Sequence, residues 1–181
     1  VKIKSKDSDI YVEYTIEQPK IEYITFDDKV FETYCIENFD ANADGGVSMS
    51  EALDVVSIDI YNSRLVSLAG IEHFKNLEYL KCSGPGWTDR GWELYSVEEL
   101  DVSANVKLKT LICHSNHLRE LDVSQNKELE YLDCGSNYFS SISLTQNKKL
   151  KTFICSGALS ELDLSSNLEL EFVDVCINNI V

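Results

Sequence analysis

Apolar side chains return along the second half of the chain at a nearly fixed interval. The segments LKTLICHSNHLRELDVSQNKE from Leu108, LEYLDCGSNYFSSISLTQNKK from Leu129, LKTFICSGALSELDLSSNLE from Leu150 and LEFVDVCINNIV from Leu170 are variants of one phrase, their starts stepping by 21, 21 and 20 residues. Alternation at the head of each phrase reads as a short strand, so Leu111 and Cys113 point one way and their neighbours the other. Leu118, Leu121 and Val123 join them on the return limb. One phrase alone cannot cover the apolar wedge these residues present, whereas stacked copies can. The register extends backward through a diverged copy at Leu77, Leu80 and Cys82, and Ile58, Ile60, Leu65, Leu68, Ile71 and Phe74 fit a first, capping one.

Upstream the period changes. Val30, Phe31, Tyr34, Cys35 and Phe39 recur at helical spacing after Asp27 or Asp28, either of which can cap the helix; Ala52, Leu53, Val55 and Val56 predict a second helical stretch. Ile10, Val12, Tyr14 and Ile16 alternate with polar residues until Pro19, and Ile21, Tyr23 and Ile24 follow, which predicts a strand or small hairpin. The expected organisation is an N-terminal segment over 1–26, a helix-loop-helix over 27–57 and a stack of repeats over 58–181.

Over roughly residues 55 to 181, the L-x-x-L-x-[L/C]-x-x-N signature and the CxxN and LDVSxN phrases resemble the short leucine-rich repeats of secreted and surface proteins of Bacteroides-like bacteria, and more loosely internalin repeats. The resemblance implies an α/β leucine-rich-repeat solenoid with a parallel sheet on its concave face and a mostly irregular convex side. Asn116 and Asn137 are expected to bond backbone groups left open where strand turns into loop. The copy from Leu150 reads Ser156-Gly157-Ala158 there, which predicts a local distortion.

Residues 40 to 51, DANADGGVSMSE, match the twelve-residue EF-hand calcium loop. Calcium is a hard cation that prefers oxygen. Asp40, Asn42 and Asp44 would offer side-chain oxygens, Gly46 its carbonyl, Ser48 a direct or water-mediated contact and Glu51 two oxygens, with Gly45 at the sharp turn. No second loop is legible to pair with this one through Val47. The expectation is therefore a single EF-hand capping the solenoid, with Ca2+ in a structural role. Sensors open a Met-rich groove, and this chain has one methionine, Met49.

Thirty-one acidic against sixteen basic residues give a net charge of -15, which disfavours nucleic acid and anionic membranes as partners. No apolar run approaches the roughly 20 residues of a membrane span. The N-terminal VKIKSKDSD lacks the apolar stretch of a signal peptide, and a leader removed upstream of Val1 would leave the same record. The family resemblance implies an extracellular or cell-surface setting. Cys82, Cys113, Cys134 and Cys155 share one inward repeat position, where Val175 stands in the last copy, and read as a column of buried free thiols rather than disulfides. Cys35 fits a helix core, and Cys176, one position out of column, is the candidate exposed, reactive thiol.

Two surfaces are candidates for a protein or glycan ligand. One is an insertion at about 83–98, carrying Trp87, Arg90, Trp92 and Tyr95; the tryptophans either reach out as binding anchors or fold back over the repeat edge. The other is the concave face, where Tyr79, Lys81, Ile112, His114, Tyr131, Asp133, Ile154 and Phe172 point outward. An uncapped last repeat, with Leu170, Val173 and Val175 near a sheet edge, alternatively suggests pairing of copies as a homodimer. Catalysis is not expected, since Cys113 and its neighbour His114 should face opposite sides of the strand.

Overall fold

Each repeat phrase contributes one three-residue strand, and the strands line up side by side in parallel. The computed structural model describes residues 20–61, 64–84, 96–157, 159–176 and 178, together with the backbone of four short strands at 2–4, 11–13, 87–88 and 91–92. In chain order the elements are β1 (Lys2–Lys4) and β2 (Tyr11–Glu13), paired antiparallel, helix α1 (Lys29–Phe39) and the single-turn helix α2 (Met49–Ala52). Then come β3 (Ser57–Asp59), β4 (Tyr79–Lys81), the antiparallel pair β5 (Trp87–Thr88) and β6 (Gly91–Trp92), β7 (Thr110–Ile112), β8 (Tyr131–Asp133), β9 (Thr152–Ile154) and β10 (Phe172–Asp174). The parallel sheet runs β3-β4-β7-β8-β9-β10 in sequence order, so every coil lies beside the one before it.

The register follows the repeat. Ile58, Leu80, Leu111, Leu132, Phe153 and Val173 oppose one another across the sheet, and the first five are fully buried. Two positions on, Cys82, Cys113, Cys134 and Cys155 form the expected column of free, buried thiols. Burial pushes the Cys82 thiol up to about 12 and that of Cys113 well above its ordinary value. All six cysteines are unpaired.

Polar ladders close the coils. Asn116 Nδ2 donates to the carbonyls of Cys82 and Cys113 at 2.9 and 3.1 Å, and its Oδ1 accepts from Val97 N; Asn137 repeats the pattern on Cys113, Cys134 and Leu118. Ala158, where a distortion is expected, lies outside the described residues. On its two sides, Gly157 adopts a φ of 148°, and Asn178 resumes the ladder on Cys155, Val175 and Leu159. A second ladder, not anticipated above, runs through Asn105, Asn126, Asn147 and Asn167. Each side chain donates twice to carbonyls of the preceding coil, as Asn126 does to Val102 and Asn105 at 2.9 and 3.0 Å. Their Oδ1 atoms are buried without a hydrogen-bond partner.

The helix is bound to the first coil by one carboxylate and a cluster of rings. Asp28 caps α1, accepting from Val30 N and Phe31 N, and its other oxygen accepts from Val66 N at 2.8 Å and Ser67 N at 3.2 Å. Phe31 meets Phe26 edge-on at 5.3 Å, and both Phe31 and Phe39 reach Phe74 in the first coil. The solenoid core thus continues into the helix without a break.

Candidate functional site

The twelve-residue loop joins α1 to α2 in a tight curl. Ala43 and Gly45 hold the left-handed backbone values (φ 57° and 96°) that let the chain reverse twice. The carboxylate of Asp40 accepts from Asp44 N at 3.2 Å and Gly45 N at 2.8 Å, and Asn42 Oδ1 accepts from Asp44 N at 2.8 Å. Glu51 reaches back, Oε1 accepting from Ala41 N and Asn42 N and Oε2 from the backbone and hydroxyl of Ser48. Ser48 in turn caps α2 through Glu51 N. The Ser48 backbone and hydroxyl, helped by Asn42 N and Ala41 N, hold the Glu51 carboxyl below its usual range.

The donor set suits a hard cation in kind, since every predicted ligand offers oxygen and the side chains of Asp40, Asn42 and Glu51 turn toward the loop's own N–H groups. It is not a preformed cluster. Among the described residues no three His, Cys, Asp or Glu side chains are gathered so as to hold a metal ion. Glu51 already accepts four hydrogen bonds, the number of lone-pair sites on a carboxylate, so a cation would displace at least one of them.

The sequence left the segment ahead of the helix either covering this loop or ending a tether, and residues 22–24 lie against the loop. Tyr23 bridges antiparallel to Ser48, Ile24 N donates to Val47 O at 2.9 Å, and Met49 N donates to Glu22 O at 3.1 Å. Residues 22–24 therefore form a short antiparallel edge against the loop. The Tyr23 hydroxyl also donates to Asp44 Oδ2, and that bond raises the pKa of the phenol. The signal was present in the alternation of Ile21, Tyr23 and Ile24, but a three-residue edge next to a loop has no motif of its own.

On the concave face the predicted outward residues are where the register puts them. Tyr79, Lys81, Ile112, His114, Tyr131, Asp133 and Ile154 are half-buried, and Phe172 is 53% exposed. Lys81 pairs with Asp59 at 3.3 Å. His114 Nδ1 lies 3.1 Å from Ser115 Oγ. Cys113 is sealed on the opposite side of the strand, so the two do not form a nucleophile–base pair. In the insertion, the backbones of Trp87 and Trp92 are direct partners in the β5–β6 hairpin, while Arg90 and Tyr95 lie outside the described residues. Val97, at its C-terminal end, is buried and stands in its coil where Leu118 stands in the next.

Cys176 is exposed, as expected. A hydrogen bond to Asp174 and the charge of that carboxylate raise its pKa.

No protein-family model and no curated protein matches this sequence. Solved structures do match. An internalin, InlF, from Listeria monocytogenes aligns with a TM-score of 0.71 at 22% identity over 86% of this chain and 45% of that one. A leucine-rich-repeat protein of Leptospira interrogans aligns at 0.60 with 21% identity over 72% of this chain and 33% of its own. The functional domain of InlJ from Listeria monocytogenes, which includes a cysteine ladder, aligns at 0.55 with 25% identity over 75% of this chain and 33% of that one. The chain spans between a third and just under half of the length of these structures. It shares with them a leucine-rich-repeat solenoid of internalin type. No helix among the described residues is long and apolar enough to cross a membrane.

Proposed function

We propose that this chain is a non-catalytic binding or adhesion module, working outside the cell or at its surface, which takes a protein or glycan on its concave face. The observation that supports this most is the half-exposed aromatic and apolar side chains in two adjacent rows of the concave face, Tyr79, Tyr131 and Phe172 in one and Ile112 and Ile154 in the other. A face left to solvent alone has no need of them. The tryptophan hairpin is a second candidate surface in this reading. The loop of residues 40–51 serves as a calcium-stabilised cap in this reading. Asp40, Asn42, Asp44, Gly46, Ser48 and Glu51 would hold the ion, which supplies positive charge that neutralises the loop and fixes α1 against α2. The test is a glycan and protein array probed in calcium and in chelator, with Tyr131→Thr as the face variant and Asp40→Ala as the loop variant. Hits lost with Tyr131→Thr support the face; hits indifferent to it sink the reading. A melting point raised by calcium in the native chain but not in Asp40→Ala supports the cap.

A second reading, assembly of copies, draws on the edge strand β10 and the turn before it, where Leu168 is 90%, Phe172 53% and Val173 40% exposed. Sedimentation showing monomer alone at high concentration rejects it.

A further inference from the structure

The strands do not repeat every coil but every second coil. Their phrases read LEYLKC, LKTLIC, LEYLDC, LKTFIC and LEFVDV. In register across the sheet, Tyr79 is followed by Thr110, then Tyr131, Thr152 and Phe172, so aromatic rungs alternate with threonine rungs. The residue before each strand alternates in charge, and the ladder neutralises itself: Lys109 pairs with Glu78 at 2.8 Å and Lys151 with Glu130 at 2.6 Å. In the row two positions beyond the aromatics lie two carboxylates two rungs apart, Asp133 and Asp174. Asp133 accepts from Gly135 N and Asp174 from the backbone and thiol of Cys176, and among the described residues neither has an ion-pair partner.

This spacing selects an occupant. Parallel strands lie about 4.8 Å apart, so the aromatic rungs recur at about 9.6 Å. A polyproline II helix advances about 9.3 Å in three residues. An extended strand brings a side chain to the same face about every 6.7 Å and falls out of step. Aromatic-lined grooves take proline rings on such helices, and unpaired carboxylates beside the aromatics call for lysine or arginine. Resting on the concave-face reading above, we propose that this face binds a proline-rich, basic segment in polyproline II conformation, lying across the strands. Every third residue seats over Tyr79, Tyr131 and Phe172, and cationic side chains meet Asp133 and Asp174.

The test is fluorescence anisotropy on the full chain with a labelled peptide of four Pro-Pro-Lys repeats. Comparators are a peptide of the same composition without the three-residue period and a neutral β-1,4-linked sugar oligomer. The periodic peptide binds, and Tyr131→Thr weakens it about tenfold or more. Asp133→Asn weakens it and flattens its salt dependence. Both variants keep the native melting point, since threonine already stands at position 131 on the rungs to either side and asparagine at 133 keeps an oxygen to accept from Gly135 N. Equal binding of the aperiodic peptide, or indifference to Tyr131→Thr, overturns the proposal. If the sugar oligomer alone binds and loses affinity in Tyr131→Thr, the occupant is wrong and the concave face stands. If ligands from the array are indifferent to both variants, the face itself is wrong.

Discussion

The hydroxyl of Tyr23 donates to Asp44 Oδ2 at 2.8 Å while the ring of the same residue lies against Gly46, whose Cα leaves no room for a methyl. A Cβ at Gly46 would sit 2.6 Å from Tyr23 Cδ1. Tyr23→Phe keeps the ring and removes the bond. In the calcium reading, the expected outcome is a calcium affinity lower by about tenfold, with a melting point in chelator close to that of the native chain. Gly46→Ala displaces the ring and lowers both. Calcium titrations that coincide for native protein and Tyr23→Phe would reject a role for Tyr23 in the loop.

Asn147 carries two buried bonds of the second ladder, to Val123 O at 2.9 Å and Asn126 O at 3.0 Å. Asn147→Ala leaves both carbonyls without that donor, at an expected cost of about 2–4 kcal/mol. Urea denaturation measures it. A loss under about 0.5 kcal/mol would mean that the carbonyls find other donors.

The thiols give a cleaner readout. A disulfide-exchange reagent at pH 8 should react with one sulfur in the native chain, Cys176, and with all six in denaturant. Asp174→Asn should speed the native reaction by removing the carboxylate that raises the pKa of the thiol. Rapid labelling of a column cysteine without denaturant would contradict the burial described here.

Acid should loosen the convex turns. The hydroxyl and backbone N–H of Ser103 hold the Asp101 carboxyl below its usual range, and Ser165 does the same for Asp163. Because the folded pKa values are depressed, this stabilisation is complete above the unfolded value of about 3.9 and disappears as pH falls through the lower folded values. The contribution is small, as both side chains face solvent. Melting curves of the native chain and Asp163→Asn should differ at pH 6 and converge as pH drops below about 3.

Repetition made the solenoid legible. A leucine at 111 and another at 132 say little separately, but twenty-one residues between them, repeated, determine which atoms share a rung. The helix end was readable because Asp28 followed by apolar spacing is a local signal. What could not be read was any partnership made across the chain. Asp28 also bonds Val66, 38 residues on, and Tyr23 bonds Asp44 with no pattern linking the two. The exposure of Cys176 was readable from its place one position out of the column, but the rise in its pKa caused by Asp174, two residues before it, was not. The two-coil alternation lay in plain view and was hidden by the shorter period.

The second asparagine ladder also gives the stack a direction. Each of its amides reaches toward the coil before it and never toward the coil after. The two faces of a coil are therefore chemically unlike: loss of the coil of Asn147 would take side-chain donors from the carbonyls of Val123 and Asn126 on one side and acceptors from the amide of Asn167 on the other.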